Sequence, residues 1–204
     1  MYIQIVNTLI IFMGILYSVI LHEVAHGLVA YFFGDNTAKH SKRLSLNPLR
    51  HIDLFGSLIL PFILYIMKLP IFGWAKPVPI NPDLFTNRKL GMIFVSIAGV
   101  FVNFLLVILF FFIFSISEMD SFLVLASVNI MLFVFNLIPF PPLDGYRLLS
   151  QILPKSLTNW IEKNESVFLV IFLFLLASGL IRYIYSPVYN FFARLFLKIF
   201  IKEM

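Results

Sequence analysis

The sequence predicts an all-α polytopic membrane protein of about four to six membrane segments, with one proline-rich extended or re-entrant stretch. Three observations carry that reading. Of the 204 residues, 61% are hydrophobic and only 12% are charged, whereas a soluble domain averages about a quarter charged. The chain holds 25 phenylalanines, a load that asks for an apolar solvent. Its charges are gathered between long uncharged runs, as connections between membrane segments are.

A hydrocarbon core of about 30 Å needs about 20 apolar residues in helix. The first span runs from about Ile5 to Phe33. The first 21 residues carry no charge, yet a basic leader region and a small-residue cleavage site are both missing, so this is a retained helix and not a signal peptide. Turn chemistry at Gly34-Asp35-Asn36 stops it. A basic loop follows, with Lys39, His40, Lys42, Arg43, Arg50 and His51. Leu54–Met67 is uncharged but short and contains Pro61, which fits a re-entrant or tilted arm as well as a crossing.

Gly73–Pro82 has three prolines in near alternation, which forbid helix and favour an extended edge. Its simplest role is an interfacial loop anchored by Trp74. Residues 90–117 and 121–143 are two firmer uncharged stretches, separated by Glu118 and Asp120. A last apolar run, roughly 166–185, follows the polar Lys155–Glu165 segment. Arg194, Lys198 and Lys202 then recur at four-residue spacing, one face of an interfacial helix. Positive-inside counting puts the Lys39–Arg50 loop in the cytoplasm and the Glu118–Asp120 turn outside, with the N-terminus also outside.

The formal charge of +5 sits in those connections, where it reads as contact with lipid head groups and not with nucleic acid. The chain has no cysteine, which excludes thiolate metal sites, disulfides and cysteine nucleophiles.

The chemistry is concentrated in His22-Glu23-Val24-Ala25-His26-Gly27. Histidines four apart on a helix lie one turn apart on one face. Two such imidazoles can hold one ion, and Glu23 is then placed to act as general base on water activated there. Packed histidines are the plainer reading, but ionisable groups inside an apolar span are costly to keep and default to function. A catalytic zinc needs a third protein ligand. His40 and His51 are candidates, although their basic loop reads as solvated surface. Asp144 is favoured, because Pro139, Pro141 and Pro142 break the helix before it and free carbonyls that hydrocarbon does not tolerate. An Asp-Gly turn at the membrane surface is the alternative.

The HEVAHG motif, with Asn136-x-x-Pro139-x-Pro141-Pro142-Leu143-Asp144-Gly145 about 110 residues later, resembles the site-2 protease family of intramembrane zinc metalloproteases. The stretch Leu46–Asp53 and the segment Gly73–Pro82 look like its compact prokaryotic branch without a PDZ domain. The resemblance covers about residues 15–150. It implies one Zn2+ per chain held by His22, His26 and Asp144, Glu23 as the catalytic glutamate, and Asn136 holding the substrate backbone. Asn103 falls near a family asparagine and reads as structural, and Val100 replaces a family proline. A helix–helix hydrogen bond is the plainer role for Asn136.

The implied organisation is a single membrane-embedded metalloprotease domain over 1–204, with a catalytic core of about 5–150 and a C-terminal span plus interfacial helix over about 160–204. The implied setting is a multi-pass protein of a prokaryotic inner or plasma membrane. The implied partners are the lipid bilayer, a membrane-protein or signal-peptide-remnant substrate, and a regulatory membrane protein. Two other classes compete: a metal-binding membrane protein without hydrolysis, and a partner subunit whose histidines merely pack. Intact Glu23 argues against the first, and metal binding would discriminate the second.

Overall fold

A computed structural model of the chain describes residues 2–68, 73 and 75–201. Within them the protein is all helical, with no strand. The elements are α1 (Tyr2–Phe32), α2 (Thr37–His40), a π-helical turn (Leu54–Ile59) leading into α3 (Leu60–Ile66), α4 (Arg88–Ser117), α5 (Asp120–Asn136), α6 (Asp144–Ser150), α7 (Lys155–Lys163), α8 (Glu165–Ala177) and α9 (Ile181–Phe200). Among the described residues α1 and α4, of 31 and 30 residues, are long and apolar enough to cross a membrane. The α8–α9 pair qualifies only if taken together, and it is bent by 68°. The single run expected over 166–185 is therefore broken at Ser178–Leu180.

The arm after Asp53 is 13 residues long, Leu54–Ile66. At about 1.5 Å per residue it reaches only about 20 Å, short of the 30 Å hydrocarbon core. Asp53 starts it by accepting a hydrogen bond from Gly56 N at 2.6 Å.

Helices α1, α4 and α5 pack against one another, and α9 closes on α4 and α5. Val107 and Phe111 of α4, Ala126, Ile130 and Val134 of α5, and Phe196 of α9 form the main core. Phe111 stacks on Phe196 with centroids 5.6 Å apart. The outward faces are as apolar as the core: Phe12, Phe101 and Phe112 are all exposed. The polar side chains face inward instead, with Ser18, His22, His26, Asn103, Asn129 and Asp144 buried. Polar groups cost too much in hydrocarbon to face it, so they gather between helices.

One expectation needs correcting. His51 is buried, not solvated: 3% of its surface is exposed, and its Nε2–H donates to Ser45 O at 2.7 Å. The Lys76–Asn81 segment, expected as an interfacial loop, is tied to the rest of the protein. It is extended as its prolines require, but it docks onto α1 and the loop after it. Lys76 N donates to His51 O at 2.9 Å, Arg43 donates to the carbonyls of Lys76 and Pro77, and Asn81 N donates to Asp35 at 2.7 Å. The anchoring role of Trp74 and the basic position Lys202 lie outside the described residues. Arg194 and Lys198 do lie on α9.

Candidate metal centre

Helix α1 carries His22 and His26 on one face, and their Nε2 atoms come within 3.0 Å of each other. The rings stand nearly perpendicular, at 86°. Opposite them is Asp144, the first residue of α6. It arrives there because the chain leaves α5 at Asn136 and turns through Pro139–Leu143, where a helix cannot continue. Leu143 pins the turn by packing with Phe172 and Ile181. Asp144 Oδ2 lies 3.1 Å from each Nε2, and Arg147 stands 3.6 Å from its other oxygen.

Helix α4 closes the third side by coming unusually near. A Cβ on Gly99 would sit 2.5 Å from His26 Nε2 and 2.6 Å from His22 Cε1, so only glycine admits this approach. The same helix fixes both rings from behind. His26 Nδ1 is 2.6 Å from Val95 O, a carbonyl that can only accept, so Nδ1 carries the proton. His22 Nδ1 is 2.6 Å from Asn103 Oδ1.

With both protons on Nδ1, each Nε2 presents a lone pair. Asp144 Oδ2 is buried, and its near neighbours are the two Nε2 atoms. In that tautomer three lone-pair atoms converge, a donor set that suits a cation. Ligands at about 2.0–2.1 Å around a tetrahedral zinc sit about 3.3 Å apart, close to the separations of 3.0 and 3.1 Å found here. The donor set therefore fits zinc.

The remaining candidates fall into place around this group. Among the described residues His40 and His51 lie outside it; His40 is exposed, and buried His51 keeps an unpartnered Nδ1. Glu23 accepts a hydrogen bond from Val78 N at 2.9 Å through Oε2. Half-buried Asn136 donates to Leu132 O, one turn back in its own helix, at 3.0 Å, and among the described residues not across to another helix. Sequence reasoning passed over Asn129 and Ser18, which extend the His22–Asn103 contact, and the docking of Val78. The only signal was compositional: Asn129 is a carboxamide inside an otherwise apolar run, and Ser18 lies one turn before His22.

The chain is 36% identical over 187 residues to YwhC of Bacillus subtilis (strain 168), which bears a zinc metalloprotease designation; the match spans 85% of this chain and 82% of YwhC. Residues 115–178, which include Asp144, match the model of peptidase family M50. This chain belongs to peptidase family M50. Rip2 of Mycolicibacterium smegmatis (strain ATCC 700084 / mc(2)155), also designated a zinc metalloprotease, is 29% identical over 193 residues, 90% of this chain and 73% of Rip2. No solved structure matches. Membership makes the M50 chain a zinc metalloprotease of the site-2 type.

Proposed function

We propose that this M50 protease hydrolyses peptide bonds within or near transmembrane segments of membrane proteins, single-span proteins or signal-peptide remnants. One zinc would be held by His22, His26 and Asp144. The observation that carries the reading is the convergence of three lone-pair atoms deep along a membrane-length helix. His26 and His22 lie about 9 and 15 Å from the Phe32 end of α1, at about 1.5 Å per residue. That depth falls inside a 30 Å hydrocarbon core.

Bound there, zinc supplies Lewis acidity and a water whose pKa falls to about 7. Glu23 does the proton work: it takes a proton from the attacking water and returns it to the leaving amide nitrogen as the C–N bond breaks. Val78 N–H holds Oε2, which leaves Oε1 for the proton. An apolar cleft of about 330 Å³ between α1 and the Leu54–Ile66 arm is lined by Leu16, Val19 and Ile20, with Gly56 and Ala75 opposite. Leu16, Val19, Ile20 and Glu23 follow one another at helical spacing, so that wall leads along α1 to Glu23. The substrate segment belongs in this cleft. Asn136 is not among the residues that line it, and its role toward the substrate backbone rests on the family resemblance, with its Oδ1 not used in the bond to Leu132. The setting is a multi-pass protein of a prokaryotic cell membrane, acting on its substrate with a regulatory membrane partner.

The test is zinc content and cleavage of a membrane-embedded substrate by the purified protein. Wild type is expected to hold one zinc per chain and to cleave. Glu23→Gln is expected to keep the zinc and lose cleavage. Retained cleavage would remove Glu23 as the base, and a folded wild type without zinc would overturn the reading.

A further inference from the structure

The hydrogen bond behind His22 does not end at Asn103. Asn103 Nδ2 donates to Asn129 Oδ1 at 3.0 Å. Asn129 Nδ2 in turn donates to Leu125 O and to Ser18 Oγ, both at 2.9 Å. Ser18 Oγ donates to Gly14 O at 2.8 Å. The four residues from His22 to Ser18 come from α1, α4 and α5, and Asn103 and Asn129 are 0% exposed.

The direction of every bond in this chain is dictated from its far end. Backbone carbonyls accept and never donate. Leu125 O therefore requires the amide group of Asn129, and Ser18, whose proton goes to Gly14 O, offers Asn129 a lone pair. Asn129 must then present its oxygen to Asn103. Asn103 must answer with its amide group and turn its own oxygen toward His22. His22 consequently carries its proton on Nδ1, leaving Nε2 as a lone pair directed at Asp144. Reversing Asn103 would set its oxygen against the oxygen of Asn129 in a site where no water can intervene, which costs a buried mismatch.

We propose that Asn129 is a positioning residue for the metal centre. It acts through Asn103 to lock His22 in the tautomer that can bind zinc, without touching His22 or the ion itself. The proposal rests on the zinc reading above and adds a residue on a different helix from any of the three ligands. Without Asn129, Asn103 is free to turn over and offer its amide group to Nδ1. His22 would then carry its proton on Nε2, where the metal should sit. Partners behind a metal ligand commonly change metal affinity by about 10–100-fold.

The experiment uses the full chain in detergent micelles: wild type, Asn103→Leu, Asn129→Leu and the double variant. Zinc affinity is read by competition with a chelator, and the histidine tautomers of the metal-free chains by 15N NMR. Asn129→Leu is expected to weaken zinc by about 10–100-fold, and the double variant to be no weaker than Asn103→Leu alone, because both act by one route. Wild-type His22 is expected to carry its proton on Nδ1, and Asn129→Leu to show a population with the proton on Nε2. Wild-type affinity in Asn129→Leu, or an unchanged tautomer, overturns the proposal even if that variant melts at a lower temperature. A wild type that binds no zinc sinks the proposed zinc site instead, and the tautomer measurement still decides the role of Asn129.

Discussion

The backbone N–H of Val78 donates to the carboxylate of Glu23 at 2.9 Å, across 55 residues of sequence. The glutamate between the two histidines is therefore held by an extended segment that the helix does not contain. Val78 itself is buried, and its side chain packs over Gly27 at the end of the motif. Pro77 and Pro79 on either side cannot donate hydrogen bonds, which leaves the Val78 amide as the donor at this point of the segment.

Val78→Pro removes that donor in a segment already conformed to proline. A hydrogen bond to a charged group contributes about 1.5–3 kcal/mol, so cleavage is expected to slow by about 10–100-fold while zinc content stays at the wild-type level. Steady-state kinetics beside metal analysis check this. Unchanged turnover would show that the contact does not orient Glu23.

Gly99→Ala places a methyl group against both imidazoles. Overpacking of this kind costs about 1–3 kcal/mol, and here the atoms that must yield are the two Nε2-bearing rings. Zinc affinity is expected to fall by at least about tenfold, with helix content unchanged by circular dichroism. Full zinc loading of that variant would mean that α4 can back away freely.

Asp144→Asn keeps the shape of the side chain and removes its charge. Loss of the anionic oxygen between two lone pairs is expected to lower zinc affinity strongly while the Leu143 packing persists. Chelator competition measures it, and wild-type affinity would strike Asp144 from the ligand set.

Asp35 gives the docked segment a pH dependence. Burial pushes its carboxyl up, but hydrogen bonds from the Thr37 hydroxyl, the Asn81 amide and the Thr37 amide outweigh that and leave it below the ordinary carboxylate value. A group depressed in the folded state contributes stability above its unfolded pKa, about 3.9 for Asp, and that contribution is lost as pH falls through the lower folded value. Docking of residues 75–81 is thus expected to hold from neutral pH through mild acid and to loosen only below the ordinary Asp range. Asp35→Asn should loosen it at neutral pH. Limited proteolysis and hydrogen exchange of the segment report both, and equal protection in the two proteins at neutral pH would count against Asp35 as its anchor.

Much of this was legible from local pattern. The lengths of α1 and α4 follow from uncharged runs, because a bilayer sets how many apolar residues a helix needs. The His22–His26 pair is legible because helical geometry alone puts residues four apart on one face. The prolines before Asp144 mark a broken helix for an equally local reason: they lack the N–H that a helix requires.

Other features depended on which helices meet. His51 sits in a basic loop and reads as solvated, yet it is buried, bonded to Ser45 O and through its own carbonyl to the docked segment, and no local pattern encodes that. Asn129 is one polar residue in an apolar run, and only the packing of α5 on α1 and α4 reveals that it stands behind His22. Gly99 could be any small helix residue until α4 is seen against the two imidazoles. Periodicity and backbone chemistry act over a few residues, so the sequence by itself determined the membrane class, the two long helices and the paired histidines. The meeting of Asp144 with them, the Val78 contact to Glu23 and the chain of amides behind His22 join residues 26 to 122 positions apart. Such contacts are chosen by side-chain packing between helices, and that choice is made only in the tertiary structure.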